Sequence, residues 1–134
     1  VREIASPAEL RKLIESGEPL VVKIAAKWCG DCKALRPDFE LNAPRLEHAG
    51  VTVARINLSD EREATAGGKK KTAYLSPDHQ ALAERFAPYG FPTVLFFHGG
   101  RMHGYGLENK RESYSKLVDS FLARLEEIRR ESQG

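Results

Sequence analysis

Apolar and polar residues recur along this chain with two different periods, and each change of period marks a new element. Ser6-Pro7-Ala8-Glu9 reads as a helix start. Ser6 can cap, Pro7 suits the first helical position, and Glu9 can complete a capping box. Leu10, Leu13 and Ile14 then lie on one face, and Gly17 and Pro19 stop the helix. Leu20 to Ala26 is nearly continuous in apolar residues, as a central strand covered on both faces should be, with Lys23 as the misfit. A second helix is predicted from about Gly30 to His48. Pro37 should kink it, because proline removes one backbone donor and clashes with the preceding turn. Gly50 ends it, and Val51 to Leu58 alternates weakly as a second strand.

Residues 59–76 are polar and charged, with Gly67-Gly68 and Lys69-Lys70-Lys71, and predict a long surface loop with a short extended piece at Tyr74-Leu75. The lysine run reads as a solvated stretch in preference to a dock for an acidic partner. Ser76-Pro77-Asp78 signals a third helix, with Leu82, Phe86 and the alanines on its buried side and Pro88 and Gly90 as breakers. Thr93 to His98 is the strongest strand signal, being β-branched, aliphatic and aromatic. Gly99-Gly100 predicts a hairpin turn with positive φ, and Arg101 to Tyr105 the returning strand. Asn109 and Glu112 form another capping box, after which Tyr114, Leu117, Phe121, Leu125 and Ile128 mark one face of a terminal helix. Strand-helix alternation followed by a hairpin implies an α/β fold, a mixed sheet with helices on both faces.

Composition narrows the function. With 134 residues and 41% apolar content the chain is one globular domain. A net charge of +2 is too mild to argue for nucleic acid. The longest aliphatic or aromatic run is four residues, Val94 to Phe97, so no membrane insertion or signal peptide is read. The chain starts at Val1, as a processed form or an excised domain would, and a removed targeting segment is compatible with that start.

Cys29 and Cys32 are the only cysteines, too few for a disulfide-dense scaffold or a four-cysteine zinc site. They follow a predicted strand and open a predicted helix. The first helical turn has unpaired N–H groups and the positive end of the macrodipole, so a thiolate at Cys29 is favoured there. Cys32, one turn on, is placed to resolve a mixed disulfide. Trp28 and the small Gly30 would shape an open approach to Cys29. Half a zinc site is the competing reading, but His48, His79, His98 and His103 offer no obvious second pair, although His98 and His103 flank the hairpin. No metal and no cofactor are expected.

Lys27-Trp28-Cys29-Gly30-Asp31-Cys32-Lys33 resembles the active-site motif of the thioredoxin superfamily. Pro37 matches that family's helix-kinking proline, and Gly90-Phe91-Pro92-Thr93 is similar to its cis-proline loop. The Cys-Lys-Ala-Leu-Arg-Pro and Gly-Phe-Pro-Thr stretches resemble catalytic domains of protein disulfide isomerases more than cytosolic thioredoxins. The resemblance covers nearly the whole chain. It implies a single thioredoxin-like domain over residues 1–134, with a central mixed sheet of four to five strands and an insertion around residues 59–78. It also implies a thiol-disulfide oxidoreductase in which Cys29 attacks a substrate disulfide and Cys32 releases the product. The Phe91–Pro92 peptide, cis in the family, would place the Phe91 backbone beside the cysteines to pair with an extended substrate. Partners would be protein thiols and disulfides and an unidentified redox partner, with the protein a monomer. An oxidising compartment such as the endoplasmic reticulum lumen is favoured over the cytoplasm, although no Lys-Asp-Glu-Leu-type ending is present. The alternative is a binding module of the same fold with incidental turnover.

Three departures from the family stand out. Lys23 occupies the position, six residues before Cys29, where the family usually keeps a buried acid. It is expected to snorkel to the surface or pair with a carboxylate; the competing reading is a desolvated lysine acting as a neutral base. Asp31 stands between the cysteines where isomerases commonly have His, and would repel a Cys29 thiolate as well as complement the helix N-terminus. Finally, 62 residues separate Cys29 from Pro92, more than in the family's compact members, and the surplus falls in the 59–78 segment.

Overall fold

Five strands form one sheet, in the order β1-β3-β2-β4-β5. They are β1 (Arg2–Glu3), β2 (Leu20–Ala25), β3 (Thr52–Asn57), β4 (Thr93–His98) and β5 (Arg101–Leu107). Among the described residues four helices connect or follow them: α1 (Pro7–Glu15), α2 (Gly30–His48), α3 (Pro77–Phe86) and α4 (Arg111–Gln133). The computed structural model describes residues 1–25, 30–58, 77–87, 93–107 and 111–133, with the backbone alone for 30–36, 103–107, 111–113 and 132–133. The predicted 59–76 loop, the Tyr74-Leu75 piece, the breakers Pro88 and Gly90, and the Asn109 capping position lie outside the described residues.

The first three strands of the order run parallel, and β4 and β5 are antiparallel additions. β2 sits in the middle with all six residues buried, which is why its sequence shows no alternation. Register then decides the faces, because side chains alternate along a strand. Leu20, Val22 and Ile24 pair with Thr52, Ala54 and Ile56 on one side and Phe97, Leu95 and Thr93 on the other. The apolar members of this set meet Leu10 of α1 and Leu82 and Ala83 of α3 in one core. Val21 pairs with Val53 and Phe96, and these pack with Phe39, Ala43 and Leu46 of α2 and Tyr114, Val118, Phe121 and Leu125 of α4. Each fully buried Val, Leu, Ile or Phe among them contributes about 1.5–3 kcal/mol.

The helix ends follow the local chemistry. The Ser6 hydroxyl accepts the Glu9 N–H at 3.3 Å, while Glu9 accepts the Ala5 N–H at 2.9 Å. The reciprocal bond therefore lands one residue before the cap. At the end of α2, Gly50 takes φ 87°, its N–H reaches the Glu47 carbonyl, and the Val51 N–H reaches Leu46. These are the two bonds of a Schellman closure, sealed by the buried Leu46 and Val51. Gly99 and Gly100 both have positive φ at the β4–β5 turn, as predicted.

Some elements differ from the sequence expectation. β1 carries no apolar signal and exists because Arg2 and Glu3 pair with Ala54 and Arg55. β5 extends to Leu107. α2 runs through Pro44 as well as Pro37. On α3, Ala81 is exposed while Leu82 and Ala83 are buried. On α4, Val118 is fully buried and Ile128 only half-buried, so the buried stripe ends one turn earlier than its pattern predicts.

Candidate active site

β2 ends at Ala25 and α2 begins at Gly30, so four residues join the central strand to the helix. Gly30, Asp31 and Cys32 are the first three residues of α2. Trp28 and Cys29 lie outside the described residues, and so do Phe91 and Pro92. Ile24 pairs with Thr93, the first residue of β4, and both are buried. The strand that leads toward Cys29 and the strand that starts after Pro92 are hydrogen-bonded neighbours at the same end of the sheet.

Lys23 is only 3% exposed. The expectation that it snorkels to the surface is therefore corrected. β2 is flanked by β3 and β4, and α2 packs over this face of the sheet, so the lysine stem runs beneath the helix. Its Nζ lies 4.8 Å from the centroid of the Phe39 ring. A cation over a desolvated aromatic face is worth up to about 2 kcal/mol, which offsets part of the cost of burying the ammonium. Phe39 is itself fully buried and tilts against Tyr114 with ring centroids 5.8 Å apart.

Tyr114 adds a second buried polar group to the same layer. Its hydroxyl is buried and makes no hydrogen bond. Burial pushes the phenol well above its ordinary pKa, so it stays protonated. Arg55, in register with Lys23, turns outward: it donates to Glu3 and, at 3.4 Å, to Glu40 on α2. Asn42 donates to the Asp38 carbonyl at 2.9 Å, and Arg45 bridges Asn42 to Asp119 on α4, the last contact at 2.7 Å. Phe39 and Tyr114 were not recognised as site neighbours from the sequence. Phe39 stands seven residues after Cys32, two helical turns along one face, and that spacing is the signal that could have found it.

The histidines with described side chains lie on separate elements. His48 closes α2, His79 lies on α3, and His98 ends β4 at the far end of the strand from Thr93, about 16 Å away at ~3.3 Å per residue. Among the described residues no three His, Cys, Asp or Glu side chains gather as a metal set. No described helix is long and apolar enough to cross a membrane. Two cavities lined by described residues, about 150 and 420 Å³, lie on the opposite face between α1 and α3, with Arg11, Arg85 and Phe86 lining both.

Residues 6–120 match the family model of the thioredoxin-like domain. The chain therefore belongs to the thioredoxin-like family. It is 36% identical over 89 residues to the protein disulfide-isomerase erp38 of Neurospora crassa, covering 65% of this chain and 19% of that protein. It is 30% identical over 116 residues to protein disulfide-isomerase 2-3 of Arabidopsis thaliana, covering 86% of this chain and 21% of that protein. Among such relatives the chain spans between 13% and 21% of their length. Among solved structures, Plasmodium falciparum thioredoxin superposes with a TM-score of 0.68 at 18% identity, over 90% of this chain and 99% of that one. The fold is the thioredoxin fold, with its sheet at the upper end of the expected four to five strands.

Proposed function

We propose that the chain is a thiol-disulfide oxidoreductase acting on protein substrates through Cys29 and Cys32. The observation that carries this reading is the Ile24–Thr93 pairing together with the start of α2 at Gly30. By sequence, Cys29 directly precedes that helix start and Pro92 directly precedes β4. Membership of the thioredoxin-like family and similarity to protein disulfide isomerases support it. Cys29 at a helix N-terminus is the nucleophile, because unpaired N–H groups and the helix dipole favour its thiolate. It attacks one sulfur of a substrate disulfide and forms a mixed disulfide as the other substrate sulfur leaves as thiolate. The Cys32 thiolate then attacks Cys29, forming the Cys29–Cys32 disulfide and releasing the second substrate thiol. Trp28 and Gly30 frame the approach, and a cis Phe91–Pro92 peptide presents backbone to the substrate. The whole chain acts as one domain and as a monomer, in an oxidising compartment, with the endoplasmic reticulum lumen favoured.

Insulin reduction in dithiothreitol tests the reading. The chain should accelerate precipitation of the insulin B chain, and Cys29→Ser should return it to the uncatalysed rate. A wild-type chain no faster than the Cys29→Ser variant would leave a module that holds partners without turning them over.

A further inference from the structure

The sequence places a cation where the family keeps an acid, and the structure shows where that cation goes. Lys23 is the third residue from the end of β2 counting Ala25, and its side chain enters the layer under α2. Its ammonium rests on Phe39, two turns after Cys32 on the same helix face. Side chains on a helix lean toward its N-terminus, so the Phe39 ring covers the turn on the Cys32 side of its own Cα. Cys32 and Phe39 are about 10 Å apart along the axis at 1.5 Å per residue. Lys23 is 3% exposed, so mobile ions screen its field far less than they would a surface charge.

We propose that Lys23 is a positioning charge for the dithiol: its buried ammonium stabilises thiolate at the start of α2 and holds the Cys29–Cys32 couple toward its reduced form. This rests on the dithiol reading above. At neutral pH the exchange is one protein disulfide plus two glutathione thiols giving one protein thiol, one protein thiolate, one proton and one glutathione disulfide. The two electrons that cleave the protein disulfide come from the glutathione thiols. A charge that favours the thiolate draws this equilibrium toward the reduced protein, which makes the oxidised chain a better acceptor of electrons from substrate thiols.

Other charges lie on the elements around Lys23. Arg55 on β3 has the same sign and is engaged with Glu3 and Glu40. Val94, its partner on β4, does not titrate. α2 carries Asp31, Lys33, Asp38 and Glu40, and α4 contributes Tyr114, whose phenol stays neutral. Lys23 differs from the charged side chains whose burial is described in lying under α2 with almost no exposure, and that is the basis for giving it the role.

The test equilibrates the full chain in glutathione redox buffers at pH 7, quenches with acid, alkylates and weighs the products. Wild type, Lys23→Met and Lys23→Arg are compared, and thiolate absorbance is titrated against pH for each. Removing the charge should raise about tenfold the ratio of squared glutathione to glutathione disulfide needed for half-reduction. For a two-electron couple that is about 30 mV toward reducing potentials. The thiolate pKa should rise in Lys23→Met, and Lys23→Arg should keep both values near wild type. A purely structural lysine would leave the pKa and midpoint where they are, and a folded Lys23→Met with unchanged values overturns the proposal. A shift in the opposite direction also overturns it. If Lys23→Met does not fold, Lys23→Gln carries the same comparison. If wild type forms no internal disulfide in any buffer, the dithiol reading fails, and the proposal with it.

Discussion

The two faces of the sheet are covered alike and filled differently. Under α1 and α3 the core is built from Leu10, Leu20, Val22, Ile24, Ile56, Leu95 and Phe97, and the buried polar residue described there is Thr93, at the strand end nearest Pro92 in sequence. Under α2 and α4 an apolar cluster also holds the Lys23 ammonium and the unpartnered Tyr114 hydroxyl, with Asn42 buried alongside. Buried polar groups cost stability unless they are well satisfied. A fold that concentrates them in one layer concentrates its tolerance for that cost there too. The layer that bears it is the one whose helix begins with Gly30, Asp31 and Cys32. The two described cavities lie on the other face, and the α2 face holds Lys23, Phe39 and Tyr114 beneath the helix that begins Gly30-Asp31-Cys32.

Substitutions can break this contrast. The largest expected effect is on activity: Cys29→Ser should abolish disulfide exchange with no loss of helical signal, since the residue only precedes α2. Phe39→Ala and Leu95→Ala come next, and they compare the faces directly. Deleting buried side chains of this size costs about 3–5 kcal/mol for Phe and about 2–5 kcal/mol for Leu. Both variants should unfold at lower denaturant, but only Phe39→Ala should also move the pH dependence of cysteine alkylation, because it removes the ring under Lys23. Equal movement in both would show that the faces are not functionally distinct.

How far the sequence foretold this depends on whether the signal was local. The central strand, the glycine turns and the first cap were legible because each rests on a few adjacent residues, as at Gly99-Gly100 and Ser6-Pro7. β1 was not, since Arg2 and Glu3 become strand only by pairing with Ala54 and Arg55 across more than fifty residues of chain. The cysteine pair was legible as a motif. The fate of Lys23 was not, because whether a lysine in an apolar strand reaches water depends on what covers the strand. Here α2 covers it and Phe39 receives the charge. Pro44 was not legible as helix either, because local propensity argues against proline in a helix interior, yet α2 runs four residues beyond it.

Smaller effects sharpen the picture. Ser6→Ala removes the cap of α1 and should cost about 1 kcal/mol, with the midpoint potential unmoved, since it lies on the other face. Asp31→His should lower the Cys29 pKa and raise the reduction potential by roughly 20 mV, the equivalent of about 1 kcal/mol for close charges at high effective dielectric. Unchanged pKa and potential would reduce Asp31 to a helix-terminus residue. Tyr114→Phe deletes a hydroxyl with no partner and should change stability by no more than about 1 kcal/mol at neutral pH. Its signature lies at alkaline pH. The folded phenol is raised above the ordinary 10.0, so the unfolded chain loses that proton first. Wild-type stability is then full below pH 10 and falls as pH rises beyond it, and Tyr114→Phe should flatten that fall in urea melts.

The most direct measurement is the order in which the two thiols react. The reduced chain is treated with limiting iodoacetamide at pH 7, and the labelled peptides are separated by mass. Labelling should appear on Cys29 first, with Cys32 modified only as the reagent approaches excess. Labelling of Cys32 first, or of both at one rate, would contradict the assignment of Cys29 as the nucleophile.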